Sequence, residues 1–255
     1  MIRRLAPADV EDALALSTTA GWNQTRRDWE RLLELEPEGC FGFEYDGRVV
    51  ATTTAVRYGT ELAWIGMVLT DASYRGRGYA AALMERALSW LDERGVRCQR
   101  LDATDMGLAL YERFGFAGEY AVERWKREGD QAARPALELP RAQEADLDGA
   151  ARMVLRDSET ATAGPGSYAM TRPGRLARFF GPCRAQREGD ARRLVEWMLA
   201  RHGSGDVYWD LSEVGMGLAS RYGFRPVRRL LRMRRGGVAQ TADERVYAMA
   251  GFEYG

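Results

Sequence analysis

The chain has 255 residues, 45% of them hydrophobic, with 37 basic and 37 acidic side chains and one histidine. Zero net charge argues against nucleic acid as the main partner, the lone His202 excludes a multi-histidine metal site, and Cys40, Cys98 and Cys183 are scattered without metal spacing. No apolar run approaches the ~18 residues that span a bilayer, and Met1-Ile2-Arg3-Arg4 does not open a secretory leader, so a cytoplasmic chain with reduced thiols and no membrane partner is expected.

A short strand over residues 2–5 leads to a helix from about Ala8, with Asp9, Glu11 and Asp12 favourable in its first turn and Gly21 ending it. Trp22 and Asn23 follow in the bend. Thr25 caps a second helix that runs to about Glu36, with Asp28 three residues on in capping-box style. Residues 41–45 and 48–57 form a hairpin across Asp46-Gly47, a strong turn signal. Residues 61–69 are an apolar central strand. A helix over 80–94 ends at Gly95, a strand covers 98–103, and a short helix from about Asp105 carries Tyr111 on its last turn. Residues 117–127 are expected to complete an antiparallel pair. The order β-α-α-β-β-β-α-β-α-β describes a mixed, mainly antiparallel α+β sheet with helices on both faces.

The bend after the central strand holds the strongest chemical signal, Tyr74-Arg75-Gly76-Arg77-Gly78-Tyr79-Ala80. A strand, a glycine turn and a helix start make an anion site, because backbone N–H groups without helical partners converge there and the dipole adds positive charge. Gly76 and Gly78 let the backbone approach a phosphate with no Cβ in the way, and Arg75 and Arg77 supply charge-assisted donors. The glycines are not followed by Lys-Ser/Thr, so this is not a nucleotide P-loop, and the missing G-x-G-x-x-G weakens a dinucleotide reading.

The second half repeats the first. Residues 101–116 match residues 209–224 at an offset of 108, with Asp, Gly, Leu, Arg, Gly and Phe recurring. Residues 8–13 match 145–150 at an offset of 137, so the second copy is shorter by 137 − 108 = 29 residues. The polar, turn-rich segment from about 128 to 136, Glu128-Gly129-Asp130-Gln131 and on to Pro135, reads as the linker. Residues 1–130 carry 17 basic and 22 acidic side chains against 20 and 15 in the remainder; halves of −5 and +5 fit either two domains that attract each other or unevenly charged solvated surfaces.

Arg75-x-x-Gly78-x-Ala80 resembles the R/Q-x-x-G-x-G/A pyrophosphate loop of the GNAT N-acetyltransferase superfamily. About thirty residues on, Leu110-Tyr111-Glu112-Arg113-Phe114-Gly115-Phe116 resembles the L-Y-E-x-x-G-F that closes the coenzyme A site in that family. The resemblance implies an α+β fold of two tandem GNAT-like mixed sheets flanked by helices, with a catalytic domain over 1–128 and a reduced, degenerate one over 137–255. At the offset of 108, residues 75–80 fall on Cys183-Arg184-Ala185-Gln186-Arg187-Glu188, which lacks glycine, and Tyr111 falls on Ala219. The pattern is similar to bacterial GNAT proteins with an intact first domain and a reduced second one.

The resemblance further implies acetyl-CoA as co-substrate, with no metal. Met67, Val68 and Leu69 would offer backbone groups to the pantetheine arm and the acetyl carbonyl. Arg75, Gly76, Arg77, Gly78, Tyr79 and Ala80 would cradle the pyrophosphate, and Thr104, where the family commonly has Asn, would also meet the cofactor. Tyr111 would be the acid for the leaving thiolate, a nearly matched transfer for an ordinary phenol. Asp102 and a water relay are alternative bases; Trp64 stands where some members carry a glutamate, Glu61 lies far out on the strand, and Asp210, repeating Asp102 in the half without motifs, favours a structural role. Trp22 and Asn23 lie where this fold usually admits the acceptor, although a tryptophan at a helix junction also serves as a core plug. Trp197 and Trp209 read as core, and His202 as a cation at a helix C-terminus. The implied activity is acetyl transfer to a primary amine of a small molecule by direct attack in a ternary complex. Its rivals are protein or peptide N-acetylation and a non-catalytic acyl-CoA sensor, against which Tyr111 counts.

Overall fold

The computed structural model describes residues 1–255 except Gln131 and Ala133, and except the side chain of Asp146. Gln131 and Ala133 of the expected linker therefore lie outside the described residues, as does the side chain of Asp146 in the repeated 145–150 segment. Two compact units form, and neither is contiguous in sequence. Unit 1 comprises Met1–Gly118, Met233–Ala239 and Tyr254; unit 2 comprises Glu119–Arg232, Gln240–Glu253 and Gly255.

Unit 1 begins with β1 (Ile2–Arg4), α1 (Val10–Thr19) and α2 (Arg26–Leu35). The capping box forms as expected: the Thr25 N–H donates to Asp28 Oδ2 at 2.7 Å and the Asp28 N–H donates to Thr25 Oγ1 at 3.3 Å. β2 (Cys40–Tyr45), β3 (Arg48–Tyr58) and β4 (Leu62–Thr70) continue an antiparallel meander from β1. Asp46 and Gly47 take φ of +55° and +76°, the two positive values that a type I′ hairpin requires. α3 (Tyr79–Asp92) crosses to β5 (Cys98–Ala103), which pairs parallel with β4, and α4 (Asp105–Arg113) follows. Trp29, Leu32, Phe41, Ile65, Leu83, Trp90 and Leu91 are buried in this unit, each side chain contributing about 1.5–3 kcal/mol of hydrophobic stabilisation.

The expected closing strand of this unit goes elsewhere. β6 (Ala117–Arg127) runs antiparallel to β10 (Val207–Leu211), with Arg124 opposite Asp210, and from residue 119 onward it belongs to unit 2. The physical reason is a buried fork: Arg124 donates to both carboxylate oxygens of Asp210 at 2.7 and 2.6 Å. Conversely, the end of β11 (Arg225–Gly236) lies beside β5 in unit 1. Arg235 there bonds both oxygens of Asp92 at 2.8 and 2.9 Å and Gln99 at 3.1 Å. The resemblance implied domains over 1–128 and 137–255; the compact units have other bounds, with 119–128 in unit 2 and 233–239 in unit 1.

Unit 2 holds α5 (Gly149–Val154), β7 (Glu159–Gly164), β8 (Ser167–Arg172), β9 (Arg178–Arg184), α6 (Glu188–His202), α7 (Glu213–Arg221) and β12 (Val246–Ala248). Its strands are ordered β11, β6, β10, β9, β8, β7, with β12 also on β9. A single six-residue α5 stands where unit 1 has two ten-residue helices, which locates much of the 29-residue deficit. Trp209 meets Phe180 and Phe224 edge-on at 5.0 and 5.2 Å, and Trp197 is buried with them, as expected of core residues. The start of the expected linker is pinned: Gly129 donates to Asp206 at 3.0 Å, and a Cβ on it would sit 2.2 Å from the Ser204 carbonyl. His202 ends α6 as expected. Burial disfavours its charged form and pushes its pKa below the usual 6.5 against a 3.1 Å contact with Glu159.

Candidate functional site

Two elements of unit 1 part company where β4 carries an irregularity. Thr52 pairs with Leu69 and Thr54 with Gly66, so two residues of β4, Met67 and Val68, stand opposite one of β3, Thr53. That is a bulge. It centres on Met67, whose φ is +51°, a left-handed value that L-residues with large side chains rarely adopt. Thr52 Oγ1 donates to the Met67 carbonyl at 2.7 Å. The ladder between β4 and β5 consists of Ala63 with Gln99 and Trp64 with Arg100, and beyond these pairs the two strands are no longer bonded. Met67 and Leu69 are buried and Val68 is half-buried at this parting.

The polar bend connects the bulge to α3. Asp71 accepts from the Ser73 N–H at 2.8 Å, and Arg75 Nε donates back to the Thr70 carbonyl at 3.3 Å. Arg77 donates to the Ser73 carbonyl at 3.4 Å and lies 5.0 Å over the Tyr74 ring, so both arginines are exposed but tethered. Gly76 and Gly78 take φ of +74° and +81°, and beyond the two flanking residues nothing lies within 4 Å of where a Cβ would stand on either. The glycines are therefore demanded by backbone conformation, and the space before them is open. Gly78 is the N-cap of α3, with no side-chain cap and no acidic residue in the first turn. Tyr79 is locked by stacking on Phe43 at 3.8 Å, and Ala80 follows it on the same turn. A turn with uncapped N–H groups, flanking arginines and no carboxylate suits an anion.

Tyr111 lies on the last turn of α4, as expected from the sequence, and is 8% exposed. It meets Phe116 edge-on at 6.2 Å, and burial pushes its phenol up to about 12. Thr104 is the N-cap of α4, where its carbonyl accepts from the Gly107 N–H at 2.8 Å while its hydroxyl does not cap. Asp102 is half-buried on β5 between buried Leu101 and Ala103. Asn23 is buried and Trp22 half-buried, the latter's N–H bonded to the Ser17 carbonyl at 2.9 Å. Trp64 is in the core, and Glu61 is an exposed partner of Arg97 at 3.1 Å, so neither is placed as a buried base.

The same region of unit 2 is built differently. Residues 183–188 end β9 and begin α6 without any left-handed residue. Glu188 and Asp190 occupy the first turn of α6, and Asp190 is held by Ser167 at 3.2 Å and Arg187 at 3.5 Å. A phosphate there would meet two carboxylates. Ala219 replaces the tyrosine and is fully buried. The residues that sequence reasoning passed over are Thr52 and Phe43. A run of three threonines in an otherwise apolar strand was the available signal for the first; the Phe43–Tyr79 stack joins residues far apart in sequence and left none.

Residues 8–116 match the profile described as the acetyltransferase (GNAT) family. A mycothiol acetyltransferase of Acidimicrobium ferrooxidans is 32% identical over 135 residues, covering 46% of this chain and 44% of that protein. The chain thus matches less than half the length of that relative. Among solved structures, a candidate acetyltransferase of Pyrococcus horikoshii superposes with a TM-score of 0.84 at 21% identity, over 100% of this chain and 95% of that one. A tandem GNAT protein from the clavulanic acid biosynthesis pathway gives 0.66 at 16% identity, covering 95% of this chain and 99% of that one. Both likenesses concern the fold, a mixed α+β sheet flanked by helices.

Proposed function

We propose that the chain, whose residues 8–116 match the GNAT acetyltransferase family, is an acetyl-CoA-dependent N-acetyltransferase acting on a primary amine of a small molecule. The observation that carries this reading is the bulge at Met67 beside a strand edge that β5 has left, leading directly into the uncapped glycine turn at α3. The residues fit the co-substrate. Met67–Leu69 offer main-chain groups to an extended arm, and Arg75–Ala80, with Thr104 nearby in the motif order, offer donors to its phosphates. Trp22 and Asn23 belong to the acceptor side of unit 1. The name of the mycothiol acetyltransferase supports a small-molecule acceptor. Acetyl-CoA is its co-substrate in this reading, and the cytoplasm its expected compartment.

The amine lone pair attacks the acetyl carbonyl carbon, the C–N bond forms, and the C–S bond breaks to release coenzyme A as a thiolate. The ammonium proton leaves to Asp102 or to water. Tyr111 is assigned to the departing sulfur by its place in the L-Y-E-x-x-G-F match. With its phenol at about 12 and an ordinary thiol near 8.5, the matched transfer expected of an unperturbed tyrosine gives way to hydrogen-bond donation to the developing thiolate. Unit 2 is a degenerate copy: with no glycine in residues 183–188 and with Glu188 and Asp190 in the first turn of α6, it binds no coenzyme A.

Calorimetry tests the assignment. Acetyl-CoA should titrate with one site per chain. Gly78→Glu, which adds a carboxylate at a left-handed position facing open space, should abolish binding while circular dichroism stays native. Two sites per chain, or unchanged affinity in the folded variant, overturns the reading.

A further inference from the structure

β3 carries three consecutive threonines, Thr52, Thr53 and Thr54, all fully buried. A buried hydroxyl is costly unless it is hydrogen-bonded, and Thr53 satisfies its own by donating to the Thr52 carbonyl at 2.8 Å. Thr52 reaches across to the neighbouring strand and donates to the Met67 carbonyl at 2.7 Å. The acceptor is the first residue of the bulge in β4. Its φ of +51° costs an L-residue about 1–2 kcal/mol and persists only where the surroundings over-determine it. A buried hydroxyl clamped on that carbonyl is such a determinant.

The clamp also sets a direction. The Met67–Val68 peptide is planar and trans, so the Met67 carbonyl and the Val68 N–H point opposite ways in one plane. Thr52 draws the carbonyl toward β3. The Val68 N–H is thereby turned away from β3, toward the side on which β4 has parted from β5. We infer that Thr52 is a positioning residue that aims the Val68 N–H at the acetyl carbonyl oxygen. This rests on the acetyltransferase reading of Met67–Leu69. As the amine adds, charge develops on that oxygen, and a donor already aimed at it needs no reorganisation; losing one such donor costs roughly 10²–10³ in kcat. Thr52 acts at one remove, so its removal loosens the donor's aim and costs less, about tenfold.

The test reads the ligand rather than turnover. Acetyl-CoA labelled with 13C at the acetyl carbonyl is bound to the full chain, and its carbonyl stretch is followed by difference infrared spectroscopy, with affinity measured by calorimetry. The wild type should shift the band to lower frequency. Thr52→Val keeps the shape but removes the donor, and should lose most of the shift while affinity changes less than about threefold. Thr52→Ser restores a hydroxyl and should restore the shift. Should Thr52→Val not fold, Thr52→Cys, a weak donor of similar size, takes its place with an intermediate shift expected. A wild-type shift in the Val or Cys variant, or loss of the shift in the Ser variant, overturns the role of Thr52 and leaves the acetyltransferase reading intact. A wild type that binds no acetyl-CoA overturns both.

Discussion

The Tyr111 ring lies across Gly107, one turn back along α4, so closely that a Cβ on Gly107 would stand 2.8 Å from Tyr111 Cε2. The repeat keeps the glycine as Gly215 after losing the tyrosine, but there it accommodates the Tyr247 carbonyl, 2.4 Å from the same hypothetical atom. Gly107→Ala should therefore push the Tyr111 ring aside. The substitution gains about 1 kcal/mol of helix propensity, so the melting temperature should hold or rise. Acetyl-CoA affinity should persist while kcat falls. Full turnover in the alanine variant would show that the ring's placement does not matter.

Tyr111→Phe removes one hydroxyl from the same buried site. Acetyl-CoA affinity should hold, and kcat should fall roughly 10–10³-fold, the range of lost proton or hydrogen-bond help to a leaving group. The pH profile carries a sharper expectation. Burial raises the phenol to about 12, so Tyr111 stays protonated as pH rises through 9 and 10. The wild-type kcat should show no descending limb there. A limb with an apparent pKa near 10 that vanishes in the Phe variant would show that the phenol titrates normally.

What the sequence made legible is local. Thr25 and Asp28 are three residues apart, Asp46 and Gly47 are adjacent, and Gly78 directly opens α3; in each the residue types needed for the conformation sit side by side. What it hid depends on distant partners. Arg124 finds Asp210 across 86 residues, and that pairing carries β6 into unit 2. The bulge at Met67 is set by a threonine 15 residues earlier, in another strand. His202 reads as a C-terminal cation; the burial that disfavours its charge is not legible in the sequence.

Asp102 and Asp210 occupy repeated positions, and the second shows what a structural aspartate looks like here. Asp210 is fully buried with both oxygens taken by Arg124. Removing one partner strands a buried charge, so Asp210→Asn should cost about 3–5 kcal/mol in denaturant unfolding, whereas the double replacement Arg124→Met with Asp210→Leu should cost far less. Equal losses in the single and double variants would mean that the pair is not the source of the stability.

Truncation tests the exchange of strands directly. A chain ending at Arg127 keeps β6, whose residues from 119 onward belong to unit 2, and lacks Met233–Ala239, which belong to unit 1. It loses the Arg235 fork on Asp92 and the contact that brings Gly237 against Cys98. β5 is then left as an unpaired edge, while the strand meant for another unit stays attached. Unpaired edges are templates for association, so the fragment should aggregate or dimerise through its own β6. Adding residues 233–239 as a separate peptide should restore solubility. The measurement is light scattering of the fragment with and without that peptide. A stable monomer that binds acetyl-CoA as well as the full chain does would mean that residues 1–127 are self-sufficient and that the end of β11 is dispensable to unit 1.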